Sequence, residues 1–494
     1  MDNICALING EWLAEGTPVK SLNPATQEIV GVSRLATAAH VADAVKAARD
    51  ASGSWAAKSV WERGELIGKA AALLLERRHE LRHLITAEMG KVKPEADIEV
   101  LESVDMLRFY GEDGKSALDG EVINVNTGLF PDKASMITYE PLGVVAIIKP
   151  WNYPLELPLW SIGAALLCGN TIVFKPSEHS PLVGAALCRA FHDAGFPPGV
   201  VNLVLGGPDI GAALVDADVD MVSFTGSLDA GRMVGTRCGE RGIRVSLELG
   251  GKDAFIVAAD ANLDAAVNGA VWGAFTNCGQ VCTSAERFYV ARDVADEFIR
   301  RVVEKARALR VGNGERDHID MGPLVSKHQR SKVEAQVAEA LQKGARALCG
   351  AGRPQGNSLE QGYFYMPTVL VDVRHDMAVM REETFGPVVP IVVVDSFEEA
   401  IAQANDTPYG LGASVWTRSV RNAQIAIRSL RTGMVWINDI NVAFPQCPWG
   451  GVKASGHGRE LSRFGVREYA VLKHVSIDWG DQPTRPWWYP YGVS

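Results

Sequence analysis

The sequence predicts an α/β fold with two parallel-sheet domains, and two patterns carry that expectation. Short apolar, largely β-branched runs alternate with helical stretches, first from near Gly143 and again after Asp253. The runs are apolar along their whole length, which is the pattern of strands buried on both faces beneath crossover helices. A chain of 494 residues is also too long for one ordinary core.

Taken in order, residues 37–90 read as Ala-rich helices with apolar positions three and four apart, at Val41, Val45 and Ala48 and at Leu66, Ala70 and Leu74. Strands are expected from Val144 to Ile148, Thr171 to Phe174, Val201 to Leu205 and Met221 to Phe224. The helices between them run from Leu155 to Cys168, Pro181 to Ala194 and Asp209 to Asp216. The second series has strands at Phe255 to Val257 and Arg287 to Val290, with helices from Leu263 to Phe275 and Val294 to Leu309. Gly350 to Gly362, rich in Gly, Pro and Asn, reads as a surface loop. Residues 122–141 and the tail from 467 read as extended segments that fit neither domain. The expected division is 1–121 with 142–250, then 251–455, with 122–141 and 467–494 as a separate arm.

Composition narrows the function. A 47% apolar and 22% charged chain is that of a soluble globular protein. A net charge of −10 with no basic run argues against nucleic-acid or anionic-membrane partners. The start lacks the basic and apolar regions of a secretory signal, and no apolar stretch is long enough to span a bilayer. Eight scattered cysteines suit a reducing, cytoplasmic setting. Cys278 and Cys282 lie four apart without a histidine cluster, so no metal site is expected. A disulfide between them is the alternative to Cys278 being an inert neighbour.

The chemistry is concentrated in two runs. Phe275-Thr276-Asn277-Cys278-Gly279-Gln280-Val281-Cys282 follows Glu248-Leu249-Gly250-Gly251-Lys252, with Cys282 34 residues beyond Glu248. A cysteine and a glutamate, each beside a glycine turn, suggest a thiol nucleophile with its own carboxylate base. Either run alone would read as turn geometry; the two together favour catalysis.

These runs resemble the aldehyde dehydrogenase superfamily almost letter for letter. The likeness continues through Pro150-Trp151-Asn152-Tyr153-Pro154, Phe174-Lys175-Pro176-Ser177-Glu178, Phe224-Thr225-Gly226-Ser227, Glu383-Thr384-Phe385-Gly386-Pro387 and Gly458-Arg459-Glu460. The resemblance implies a Rossmann-type cofactor domain, an α/β catalytic domain and a small β arm used for homodimer or homotetramer assembly. It makes Cys282 the nucleophile that forms a thiohemiacetal and then a thioester, and Glu248 the general base for hydrolysis. Asn152 and the Cys282 N–H become the oxyanion hole, and Glu460 a second carboxylate for proton relay. For Glu460, a structural ion pair is an equal alternative.

It further implies NAD as cofactor, with NADP weaker. Gly226 and Ser227 would meet the pyrophosphate at a strand-to-helix turn. Lys175, Ser177 and Glu178 would sit at the adenosine ribose, where a carboxylate disfavours a 2′-phosphate. Glu383 and Phe385 would border the nicotinamide. The presence of Glu248 favours a free acid as product rather than transfer to coenzyme A.

The aldehyde itself stays open. Trp160 occupies a position that often carries arginine in dicarboxylate-semialdehyde enzymes, which demotes a succinate-semialdehyde type. Tyr153, Trp160 and Trp449 match an aromatic box for ammonium groups, with Leu157 beside them and Glu99 and Glu102 at the mouth. The same rings suit a neutral aromatic or aliphatic aldehyde. A non-catalytic family member is the remaining class, disfavoured because Cys282, Glu248 and Asn152 are all present.

Overall fold

The protein is described here from a computed structural model, which covers residues 3–125, 132–356, 359–480, 484–485 and 487–489. Its first sheet has eight strands. Five parallel members run in the spatial order Arg244–Leu249, Met221–Gly226, Val144–Ile148, Thr171–Lys175 and Val201–Val204. Every residue of the last three is buried, as their unbroken apolar runs require. The chain moves outward from Val144–Ile148 to Val201–Val204, then returns to lay Met221–Gly226 on the other side. The carboxyl ends of those two neighbours, leading to Lys149 and Ser227, therefore flank a reversal of strand order, where such sheets open a binding crevice.

Both edges of this sheet are closed by antiparallel strands that the sequence patterns did not predict. Ala6–Ile8 pairs with Val201–Val204 and carries Glu11–Leu13 beyond it. On the far side Gly456–His457 pairs with Arg244–Leu249. The helices in front begin at clear signals: Thr37 and Ser59 each close a capping box, opening Ala38–Ala56 and Val60–Glu76. Glu156–Leu167 is buried on all its twelve residues, between the sheet and the helix Lys93–Gly111.

The second sheet has seven strands in the order Arg346–Cys349, Thr368–Val371, Val388–Val394, Ala285–Ala291, Asp253–Val257, Ala413–Trp416 and Trp436–Ile437. All neighbours are parallel except the Arg346–Cys349 edge. Phe255, Phe288, Phe298 and Trp416 meet as a ring cluster in its core. Three residues, Gly250 to Lys252, link the last parallel strand of the first sheet to Asp253–Val257 of the second. The catalytic candidates lie at that junction.

A third, antiparallel sheet joins Ala470–Asp478 to Lys133–Pro141 over nine residue pairs, with Glu121–Ile123 outside. The extended tail expected from 467 begins later. Ser462–Glu468 is a short helix, and the strand starts at Ala470. Of the aromatic tail, Pro486 and residues 490–494 lie outside the described residues, while Trp487, Trp488 and Tyr489 are exposed. No helix among the described residues is long and apolar enough to cross a membrane.

Candidate active site

The cysteine run folds as a strained turn at the end of the helix Leu263–Phe275. Asn277 and Cys278 adopt φ of 50° and 57°, conformations that non-glycine residues rarely hold, and Gly279 follows at 74°. A Cβ on Gly279 would lie 2.3 Å from the Gly386 carbonyl oxygen, so only glycine fits there. Hydrogen bonds hold the turn. Glu95 Oε1 accepts from Thr276 Oγ1 at 3.0 Å and Asn277 N at 3.1 Å. Asn277 Nδ2 donates to the Asn152 carbonyl at 2.9 Å. Asn152 Nδ2 donates to the Gln280 carbonyl at 3.1 Å. An amide carries two N–H donors, so Asn152 keeps one for an oxyanion.

Cys282 emerges from this turn into two cavities at once. One is a cleft of about 290 Å³ lined by Asn152, Gly226, Ser227, Glu248, Glu383 and Phe385 among others. The other is a narrow tunnel of about 100 Å³ lined by Tyr153, Leu157, Trp160 and Trp449 among others. A reactive atom between a cleft and a tunnel can meet one reactant from each side. Burial pushes the Cys282 thiol up, and the nearby carboxyl groups of Asp253, Glu248 and Glu383 add to the effect. Cys278, four residues earlier, points into the second domain's core as a free thiol, as Cys282 is also free.

Glu248 supplies a carboxylate with one unpartnered oxygen. It is buried, and its Oε1 has no hydrogen-bond partner. Burial raises its pKa well above the usual carboxylate range; Glu460 raises it further, while Lys149 and Arg459 oppose the shift. Glycine at 450 makes room for it, since a Cβ there would lie 2.7 Å from Oε1. Glu460 is engaged instead. Its Oε1 accepts from Lys149 Nζ at 3.1 Å, Ser161 Oγ at 2.7 Å and the Tyr469 hydroxyl at 3.1 Å. Lys149 also donates to Thr225 Oγ1 at 2.8 Å, tying this network to the strand beside the crevice.

Of the remaining sequence-predicted groups, Gly226, Ser227, Glu383 and Phe385 line the cleft, while Lys175, Ser177 and Glu178 lie at and beyond the end of the strand Thr171–Lys175. Ser227 caps the helix Leu228–Arg241, so the cleft faces a helix N-terminus beside Gly226. Lys175 is buried with its ammonium 3.8 Å from the half-exposed Glu178 carboxylate. Ser177 accepts from the His179 N–H and closes a local turn. Burial raises Glu383 to about 7, and its Oε1 accepts from the Gly251 N–H at 3.2 Å. Phe385 meets Trp151 edge to face at 5.5 Å. A helix N-terminus attracts an anionic group, and carboxylates such as those of Glu178 and Glu383 can accept from hydroxyls.

In the tunnel, one expectation is corrected. Glu99 is fully buried away from the mouth, where it pairs with Lys91 at 2.6 Å and accepts from the Leu155 N–H at 2.9 Å. Its side of the helix faces the start of Glu156–Leu167, so only Glu102 reaches the tunnel. Tyr153 lines the tunnel as expected, with Lys91 Nζ 3.5 Å over its ring centroid. Trp160 and Trp449 do meet, edge to face at 5.4 Å, with Trp436 behind at 6.0 Å from Trp449.

Sequence reasoning missed Glu156, Glu95 and Lys91, which share the tunnel wall with Glu102. Burial raises the Glu156 pKa well above the usual carboxylate range, reinforced by Glu102 and Glu99. Glu102 is raised too, by burial first. A signal for Glu156 existed: it is an acid inside an otherwise apolar buried helix.

Comparison with known proteins accords with this geometry. The sequence profile of the aldehyde dehydrogenase family matches residues 12–475. The chain is 39% identical over 475 residues to the betaine aldehyde dehydrogenase of Bacillus subtilis, covering 95% of this chain and 96% of the relative. It is 40% identical over 484 residues to cytosolic aldehyde dehydrogenase 1 of mouse, covering 95% and 94%. A solved betaine aldehyde dehydrogenase from Staphylococcus aureus in complex with NAD+ superimposes with a TM-score of 0.94 at 34% identity, over 99% of this chain and 100% of that one. An NAD+ complex of an aldehyde dehydrogenase from Bacillus cereus gives 0.93 at 38% identity, over 97% of each. The chain belongs to the aldehyde dehydrogenase family.

Proposed function

We propose that, within the aldehyde dehydrogenase family, this chain oxidises a cationic aldehyde to its carboxylic acid, with NAD as hydride acceptor and Cys282 as nucleophile. The observation that carries the reaction is Cys282 at the meeting of cleft and tunnel, beside an unpartnered carboxylate. NAD in the cleft would supply the hydride acceptor. The chain's own groups do the rest. The Cys282 thiol gives up its proton to solvent, and the thiolate adds to the aldehyde carbon. The free N–H of Asn152 and the Cys282 backbone N–H receive the resulting oxyanion. After hydride loss the acyl group remains on Cys282 as a thioester. Glu248 then draws a proton from water, whose oxygen attacks the acyl carbon; the acid leaves, and the proton passes from Glu248 to the Cys282 thiolate. Lys149 and Arg459 favour the ionised form of Glu248, against the opposing charge of Glu460.

The substrate charge is read from the tunnel. Glu95, Glu102 and Glu156 line it against one lysine, and Lys91 is already spent on Glu99 and the Tyr153 ring. An amino- or trimethylammonio-aldehyde would satisfy that excess of acid and lie against Trp160 and Trp449, at about 0.5–2 kcal/mol per ring. Catalytic efficiencies for an amino-aldehyde and a neutral aldehyde of equal length test this. A tenfold preference for the neutral compound would replace the cationic reading by one of a neutral aliphatic or aromatic aldehyde. The Glu178 carboxylate supports NAD over NADP, and the free cysteines suit a cytoplasmic setting. The third sheet, with Val122 and Leu472 exposed, supports a homo-oligomer. Light scattering that found only 53 kDa particles would refute assembly.

A further inference from the structure

Four residues beyond each catalytic candidate stands one member of a buried ion pair. Lys252 follows Glu248 and Glu286 follows Cys282, and Lys252 Nζ lies 2.6 Å from Glu286 Oε2. Their side chains are 0% and 4% exposed, at the starts of the adjacent strands Asp253–Val257 and Ala285–Ala291. The carboxylate reaches further. Its Oε2 also accepts from the Thr384 N–H, and its Oε1 from the Phe385 N–H, both at 2.7 Å. Two consecutive backbone donors are thus gripped by the two oxygens of one carboxylate, which fixes the orientation of the peptide between them.

That peptide leads into Phe385, a bulky residue at φ of 54°. A left-handed phenylalanine persists only where its surroundings over-determine it. Lys252 also donates to Thr384 Oγ1 at 2.9 Å, and Gln329 Nε2 donates to the carbonyls of Thr384 and Phe385 at 3.0 and 2.7 Å. A buried ion pair is weak as a source of stability, since apolar replacements often serve equally well. Its geometry here is spent on one short segment, Glu383 to Phe385, whose two end residues line the cleft together with Glu248.

We propose that Glu286 is a positioning residue for hydride transfer: held by Lys252, it fixes Phe385 and Glu383 against the nicotinamide end of the cleft. The inference rests on the reading that NAD fills that cleft. Neither residue touches substrate, and both act through the Glu383–Phe385 segment.

The test uses Glu286→Gln, whose amide offers one oxygen for two N–H groups, and the double variant Lys252→Met/Glu286→Gln, which leaves no unpaired ammonium. Three readouts are compared with the wild type: the rate of the first NADH turnover, hydrolysis of p-nitrophenyl acetate without NAD, and NAD affinity from tryptophan fluorescence. Ester hydrolysis needs the thiol and the base but no hydride, so it reports the rest of the site. The first turnover should slow at least tenfold in both variants, with a larger isotope effect from an aldehyde deuterated at the reacting carbon. Ester hydrolysis should stay within twofold and NAD affinity within threefold. Parallel loss of the two activities, whether or not the fold survives, would make the pair a general structural element and overturn the assignment. An unchanged first turnover would overturn it equally. A wild-type protein whose fluorescence ignores NAD would instead refute the cofactor reading itself.

Discussion

Replacing Glu248 by glutamine removes the base and keeps its shape, and the structure fixes what should follow. The carboxylate is buried, its Oε1 has no partner, and its pKa is raised well above the ordinary range. General-base assistance contributes roughly 10²–10⁴ in rate. Hydrolysis of the thioester should therefore fall by about that factor and limit turnover. An acyl-enzyme that forms but does not clear gives a burst of NADH approaching one per active site. Stability should move the other way. A buried ionised group left unsatisfied costs at least about 1–3 kcal/mol, which the neutral amide avoids. The sign with pH follows from the raised pKa. The folded wild type holds its proton to higher pH than the unfolded chain, so it loses stability as pH rises through the folded pKa. Wild type and Glu248→Gln should thus be closely matched in acid and diverge in the variant's favour at higher pH. Stopped-flow NADH fluorescence and urea denaturation at several pH values measure both effects. Unchanged turnover without a burst would refute the role of Glu248, and a variant less stable at high pH would refute the account of its burial.

Three further outcomes follow from other parts of the molecule. Trp449→Ala should lower efficiency for an amino-aldehyde by about two- to thirtyfold, the worth of one ring–cation contact, and leave a neutral aldehyde less affected; equal losses would place the cation elsewhere. Glu178→Ser should narrow the preference for NAD over NADP, because the half-exposed carboxylate beside Lys175 repels a 2′-phosphate; an unchanged ratio of efficiencies would show that it does not face the ribose. Glu88, which accepts from Ser21 Oγ and the Leu182 and Val183 N–H groups, is raised by burial from 4.5 to about 7. Its contribution is fully present below pH 4.5 and lost as pH rises through 7, up to about 3 kcal/mol. Denaturation curves of wild type and Glu88→Gln should diverge from pH 5 to 8, and parallel curves would refute the linkage.

The parts legible in the sequence were those with local signatures. The strands Val144–Ile148, Thr171–Lys175 and Val201–Val204 announce themselves because burial on both faces demands unbroken apolar runs. The site's centre was legible because tight turns need glycine, and Gly250, Gly251 and Gly279 stand where a Cβ has no room. Edge strands were not legible. Ala6–Ile8 and Gly456–His457 are three and two residues long, too short for any periodicity, and their partners lie some two hundred residues away. The tunnel was misread at Glu99 because an acid on a helix shows neither its face nor its partner, and Lys91 lies on another segment. Glu286 carries no motif at all, and its role emerges only from the return of Thr384 and Phe385 across the fold.

The measurement that bears most directly on the account combines Glu248→Gln with a rapid acid quench. The variant is mixed with NAD and an amino-aldehyde, stopped after the burst, and digested for mass spectrometry. Cys282 should carry the acyl group as a thioester, near one per chain and matched by one NADH, with Cys278 unmodified. Cys282→Ala should form neither adduct nor NADH. An acyl group on any other residue, or aldehyde-dependent NADH formation by Cys282→Ala, would contradict Cys282 as the nucleophile and with it the proposed reaction.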